Sequence, residues 1–314
     1  MPTIYVGSVG QSVWRSRDGG ASFHRASKGM WSESDIRALT LSPHDSQTLY
    51  AGTEDGVFKT ENGGDEWTRL GGELAGKEIW SVGASPHDPN LLIAGTCPAA
   101  LYASEDGGGS WFLGKQEIAQ DCFGGSMKTR VTSILPHPTK QDILFAGIEV
   151  DGPRVSDDRG KTWRRLGLPD VDVHDMKMLS CGTLFASANN EVYRSGDEGQ
   201  NWESLNIKEH FEKTYCRGMG AAPDGSDALY VGNGDGPPGS VGAVYRTRDK
   251  GGSWERVPLN APANSTVWQF ASAGGWMAAT TVLGQAFRSV DSGENWAKLA
   301  WEFGEVRGLA LAEQ

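Results

Sequence analysis

One octapeptide recurs seven times along the chain: Ser or Thr, any residue, Asp or Asn, any residue, Gly, two variable residues, then Trp or Phe. The copies start at Ser16, Thr60, Ser104, Ser156, Ser195, Thr247 and Ser289. Their third positions are Asp18, Asn62, Asp106, Asp158, Asp197, Asp249 and Asp291, at intervals of 44, 44, 52, 39, 52 and 42 residues. From Asp291 to the end of the chain and round again to Asp18 is 41 residues, the same interval once more. Self-similarity at this period marks an array of one supersecondary unit. The closing interval predicts that the two ends share a single unit in a ring.

Around each octapeptide the pattern reads as four short strands, as in Ile36 to Leu41, Thr48 to Thr53, Gly56 to Thr60 and Glu66 to Leu70. The first two form a hairpin, alternating apolar and small residues around a turn that carries Pro or Gly. In the octapeptide the Asp side chain accepts backbone N–H groups across the turn, and the Gly supplies a conformation that a Cβ would resist. Four strands per repeat of about 45 residues specify an all-β fold, a seven-bladed β-propeller spanning residues 1–314 as one domain. Val306 to Leu311 matches a first strand with no successors, while Ile4 to Val6 and Val13 to Ser16 match a second and a third with no first. Joined in one sheet, they close the ring.

The octapeptide resembles the Asp box of the BNR-repeat propellers, which include sialidases, sortilin-type receptor ectodomains, xyloglucan-cleaving hydrolases and the seven-bladed assembly factor of photosystem II. The resemblance covers the whole chain. It implies that the seven box residues hold peripheral turns remote from the active face, so they are not read as catalytic or metal-binding. It leaves function open, because the superfamily holds enzymes, receptors and scaffolds.

Forty-three glycines and 12 tryptophans beside 22% charged residues suit many tight turns between short strands. The net charge of −11 disfavours nucleic acid or an anionic membrane as the main partner. The start, Met-Pro-Thr-Ile-Tyr-Val-Gly, reads as a strand rather than a signal segment, so a cytoplasmic protein is expected. Cys97, Cys122, Cys181 and Cys216 lie far apart, with no Cys-x-x-Cys pair, and are expected to be buried free thiols. No phosphate loop, dinucleotide fingerprint or Gly-x-Ser-x-Gly elbow is present, and no cofactor is expected.

Ligands of propellers meet the face where the inner strands begin. Aligning the seven inner strands through their following hairpins places Arg37, Trp80, Arg130, His174, Arg217, Trp268 and Arg307 around one opening. His174 and Trp268 are the least secure members, because their hairpin turns are shorter. Arginine forks fit carboxylate or phosphate, and tryptophan offers a flat apolar wall. Two residues earlier stand Asp35, Glu78, Asp172 and Glu305, which can neutralise the ring. Lys128, Tyr215 and Thr266 fill the other three places and leave Arg130 and Arg217 without an evident partner. The two readings, an anion site and a self-neutralised structural ring, weigh about equally.

Loops toward the same mouth carry Glu149, Asp151, Asn189, Asn190, Asn233 and Asp235, and the long connector from Gly114 to Thr129 carries Glu117, Asp121 and Cys122. His174, with Asp172 two residues before it, and His210 are candidates for proton transfer. His44, His87 and His137 share a Pro-His turn at the far end of the strands, where a hairpin role is expected and a metal is not. The likeness to sialidases implies an arginine clamp, which Arg37, Arg130, Arg217 and Arg307 could imitate, and a Tyr/Glu nucleophile pair, for which Tyr215 and Glu149 are the candidates. Seven boxes in place of a six-bladed plan, and no Arg-Ile-Pro near the start, speak against sialidase or other glycosidase activity. Two functions follow: a hydrolase or lyase acting on a small carboxylate-bearing molecule, or a non-catalytic scaffold docking an acidic peptide on the arginine-rich face. Trp80 and Trp268, by narrowing the mouth, favour the enzyme.

Overall fold

Each repeat folds as its alternation predicts. The computed structural model describes residues 1–168 and 171–313. Blade one is the antiparallel sheet of Ala38–Leu41, Leu49–Thr53, Gly56–Thr60 and Thr68–Arg69. Blades two to six repeat it, their inner strands being Glu78–Ala84, Val131–Pro136, Val173–Met178, Tyr215–Ala221 and Val267–Ala273. In blade seven Val306–Ala312 is the inner strand, followed in space by Thr3–Ser8, Ser12–Ser16 and His24–Arg25. The seam is antiparallel, with Thr3 opposite Ala312, Ile4 opposite Leu311 and Val6 opposite Leu309. Each inner strand packs on the next around the circle, and Val306–Ala312 packs on Ala38–Leu41 to complete it. No helix among the described residues is long and apolar enough to cross a membrane.

The apolar residues are spent between blades. Trp67 of the blade-one box packs with Tyr5, Val13 and Ala26 of blade seven, and Trp163 of the blade-three box packs with Ile93 and Leu101 of blade two. Close approach of successive sheets explains a glycine in the second strand: a Cβ on Gly95 would lie 2.4 Å from Val131 Cγ1, and one on Gly147 would lie 2.6 Å from Val173 Cγ1. The boxes are turns. Asp106 Oδ1 accepts the Ser110 N–H at 2.9 Å, and Ser104 Oγ accepts the Gly108 N–H at 2.8 Å. Asn62 makes the same contact with the Glu66 N–H at 2.9 Å, which is why the amide serves in place of the acid. All four cysteines are free, and two depart from expectation: Cys97 is only half-buried, and Cys181 is exposed, because it sits in the tight turn between the first two strands of blade four.

The register of the sheets moves one residue of the expected ring. Leu41 pairs with Leu49, Ala84 with Leu92 and Pro136 with Leu144, so these three positions are equivalent. Counting back four residues gives Arg37, Trp80 and Thr132, not Arg130. The bulges agree, since the pairing skips Trp80, Thr132, His174, Trp268 and Arg307, and skips Arg217 together with Gly218. A bulge re-aims its side chain, here toward the axis. Arg130 stands one tier higher, level with Asp35, Glu78, Asp172, Tyr215, Thr266 and Glu305. The sequence alignment slipped because the Pro-His pair of blade three lies two residues nearer the strand. There His137 does the work of Ser42 and Ser85: its Nδ1 accepts the Thr139 N–H at 3.1 Å, as Ser85 Oγ accepts the His87 N–H at 3.1 Å.

Candidate functional site

The bulged residues converge on a throat of about 80 Å³ on the axis, lined by Arg37, Trp80, Thr132, His174, Asp175, Arg217, Trp268 and Arg307. It lies beside a wider mouth of about 700 Å³, and the two share Arg217, Trp268 and Arg307. The mouth adds Arg130, Glu149, Asp172, Asn189, Asn190, Lys213, Tyr215 and Asp235. Thr132, Asp175 and Lys213 escaped the sequence reading. The Val-Thr-Ser-Ile run at 131–134 repeats Ile-Trp-Ser-Val at 79–82, and that likeness was the available signal for Thr132.

Most of the arginine charge is answered inside the protein. Arg37 pairs with Asp35 at 2.9 Å and Glu78 at 3.3 Å, and Arg307 pairs with Glu305 at 2.6 Å. Arg130, expected to be free, has Glu149 as its partner, contributed by the end of the second strand of its own blade. Arg217 differs. Its Nε and Nη2 donate to the Tyr215 hydroxyl, the Nε contact at 2.7 Å, and it makes no ion pair among the described residues. Burial lowers its pKa and Tyr215 opposes the shift, yet a guanidinium keeps its charge at any ordinary pH.

The tryptophans line the throat with their rings engaged by arginines. Trp80 stands between Arg37 and Arg130, with guanidinium carbons 5.1 and 4.4 Å from its ring, and Trp268 stands between Arg217 and Arg307, at 4.1 and 4.3 Å. In each triplet the indole separates like charges and attracts both.

His174 is buried, and its Nδ1 lies 2.5 Å from the Cys216 carbonyl, which can only accept. Nδ1 therefore carries a hydrogen, and Nε2 faces Asp172 Oδ2 at 3.3 Å. That contact attracts only when a proton lies between the two atoms. Burial, and then the Arg217 charge, push the His174 pKa down, while the Asp172 contact opposes them. Burial pushes Asp172 up, but His174 and Arg217 outweigh it and hold the carboxyl below its usual range. Both shifts run toward the deprotonated forms, a neutral imidazole beside a carboxylate, and His174 Nε2 makes no hydrogen bond.

The remaining candidates lie elsewhere or are committed to the structure. Glu149 is bound to Arg130, and the Tyr215 hydroxyl to Arg217, so neither is a free nucleophile. Asp151 accepts from Arg154, from Arg165 and from the Ala119 N–H at 3.0 Å, tying down the connector. Asn233 is buried and donates to the Lys213 carbonyl at 2.5 Å. Asp235 caps its own loop through the Ser240 and Val241 N–H groups, which hold its pKa at about 2. Glu117 is exposed and lines neither throat nor mouth, as is true of His210. Asp121 pairs with Lys128 at 2.5 Å, and Cys122 is buried behind it. His44 Nε2 donates to the Ser85 carbonyl at 2.9 Å and His87 Nε2 to the His137 carbonyl at 3.0 Å, so these rings clasp neighbouring blades. Among the described residues no group of three or more His, Cys, Asp or Glu could hold a metal ion.

Seven boxes, seven four-stranded sheets and a closed seam define this chain as a seven-bladed Asp-box β-propeller. A family model described as Sortilin-Vps10, "Sortilin, neurotensin receptor 3", matches residues 11–130. The chain is similar to a xyloglucanase of Hypocrea jecorina, 36% identical over 111 residues, covering 34% of this chain and 13% of that enzyme. It is also similar to an oligoxyloglucan-reducing end-specific xyloglucanase of Emericella nidulans, 23% identical over 194 residues, 54% of this chain and 24% of that enzyme. The matched stretches thus span less than a quarter of the length of these relatives. Among solved structures, a GH74 xyloglucanase from Xanthomonas campestris superposes with a TM-score of 0.67 at 19% identity, covering 91% of this chain and 46% of that one. YCF48 bound to D1 peptide superposes with a TM-score of 0.61 at 18% identity, covering 85% and 81%. At these identities the superpositions speak for the fold alone.

Proposed function

We propose that this propeller is a hydrolase whose channel mouth seats a small carboxylate-bearing organic substrate. The observation that carries the reading is Arg217, the one channel arginine with no carboxylate partner among the described residues, at the junction of throat and mouth. Tyr215 and Trp268 hold its fork in place, so little side-chain entropy is lost when a carboxylate docks. Lys213 adds a second cation to the rim. The names of the curated relatives speak for a hydrolase and say nothing of an anion.

A thermal-shift screen of organic acids, followed by product analysis by NMR, tests this. An acid at 100 times its Kd stabilises the native state by about 2.7 kcal/mol. For a chain of 314 residues that is a rise of about 4 °C. Arg217→Gln should abolish the rise, and a variant that responds like the parent refutes the site. Stabilisation by acidic peptides without turnover of any acid would favour the docking scaffold instead.

A further inference from the structure

Arg217 is aimed from the neighbouring blade. The pairing of the first two strands of blade five passes from Cys216 opposite Asn233 to Met219 opposite Val231, and Arg217 and Gly218 stand outside the ladder. Backbone groups freed by a bulge need other partners. Three side chains of blade four supply them. His174 Nδ1 donates to the Cys216 carbonyl at 2.5 Å, Ser187 Oγ donates to the Arg217 carbonyl at 2.5 Å, and Asp175 Oδ2 accepts the Met219 N–H at 2.8 Å. Both peptides that flank Arg217 are therefore held, and their two planes set the direction in which its side chain leaves the strand. Among the described residues, no other throat position has its own carbonyl held by a side chain.

Ser187 also breaks the repeat. Three residues on from the one that faces the start of each box stand Gly7, Gly52, Gly95, Gly147 and Gly232 in five blades, and Ser187 and Thr280 in the other two. A Cβ on Gly52 would lie 2.9 Å from the Ile79 carbonyl oxygen, and one on Gly232 would lie 2.5 Å from that of Val267, so most blades close this place to a side chain. Blade four admits one there, and its hydroxyl is fully buried. Gly218 cannot take over the task. A Cβ on it would lie 2.3 Å from the Trp268 carbonyl oxygen, and glycine restrains its own peptide least.

Resting on the channel reading above, we infer that Ser187 is a positioning residue for acid recognition, its hydroxyl fixing the Arg217–Gly218 peptide and with it the guanidinium at the junction of throat and mouth. Tyr215 holds the far end of the side chain, and Ser187 holds the near end. Without the hydroxyl the peptide is free to turn, and the fork must be ordered again each time a carboxylate docks.

The test is calorimetric titration, well below the melting temperature, with acetate, succinate and 3-phenylpropionate, which share a carboxylate and little else. Ser187→Ala should weaken each acid that the parent binds at least about fivefold and by a common factor. Ser187→Thr, which keeps the hydroxyl, should bind within about twofold of the parent, as Thr280 shows that the place can hold a threonine. A serine with a structural role alone would lower the melting temperature and leave the affinity of the folded protein as it was. Unchanged affinity in Ser187→Ala therefore overturns this inference and leaves the channel reading standing, as does an equal loss in both variants. Binding of none of the three acids by the parent overturns both. Should Ser187→Ala fail to fold, Ser187→Gly carries the residue of five other blades, and parental affinity in that variant overturns the inference in the same way.

Discussion

Arg130→Met should destabilise this protein, against the expectation for an unpartnered arginine in a ring of like charges. The Glu149 side chain is 6% exposed and that of Arg130 18%, and the two form an ion pair. Removing one partner of a buried pair leaves an uncompensated charge, at a cost of about 3–5 kcal/mol. The partial exposure of Arg130 trims this to about 2–4 kcal/mol. Loss of the guanidinium from the face of Trp80, 4.4 Å away, adds to it. Taking about 3 kcal/mol and the usual unfolding entropy for 314 residues, the melting temperature should fall by about 4–5 °C. Urea denaturation followed by tryptophan fluorescence measures the change, and Arg130→Met with Glu149→Gln should regain more than half of it. A single variant that melts at or above the parent temperature would show that repulsion among the channel arginines outweighs the pair, and the assignment of Glu149 as partner would be wrong.

Truncation before Val306 removes the inner strand of blade seven, whose seven residues are almost all buried, and should give a chain that melts far lower or aggregates, as light scattering would show. Backbone N–H groups hold the box acids Asp106 and Asp197 at about 2, against about 3.9 when unfolded, so the native state binds fewer protons in that window. Stability should therefore be full above about pH 4 and fall as pH drops toward 2, and Asp106→Asn with Asp197→Asn should flatten the slope of urea midpoint against pH. Tyr215→Glu gives Arg217 the partner that Glu305 is to Arg307, and should weaken acid binding at least tenfold by competition without lowering the melting temperature.

The sequence carried the fold because its turns are local. An octapeptide contains its own Asp, Ser and Gly, and the spacing of Asp18 to Asp291 counts the blades without any long-range fact. Six of the seven throat positions were legible for a related reason, each lying near the start of an inner strand whose pattern repeats. Arg130 was put in the place of Thr132 because Pro136-His137 looks like Pro86-His87 as a string but enters the strand two residues earlier, and only the pairing of Pro136 with Leu144 reveals it. The Arg130–Glu149 pair was hidden behind that error. The stacking of Trp268 between Arg217 and Arg307 joins three blades, and no local pattern announces a contact of that kind.

The seam has a mechanical side. Thr3 lies opposite Ala312 at one end of the pairing, and Ser8 lies opposite Val306 at the other. Tension applied between residues 3 and 312 therefore loads the hydrogen bonds one after another, as a zipper is drawn, and never all together in shear. Stretching the molecule by these two points should peel Val306–Ala312 from Thr3–Ser8 at low force, before any other blade yields. The circle is thus strong against heat at every blade and weak against pulling at one, and whatever grips both ends of this chain holds the means to open it.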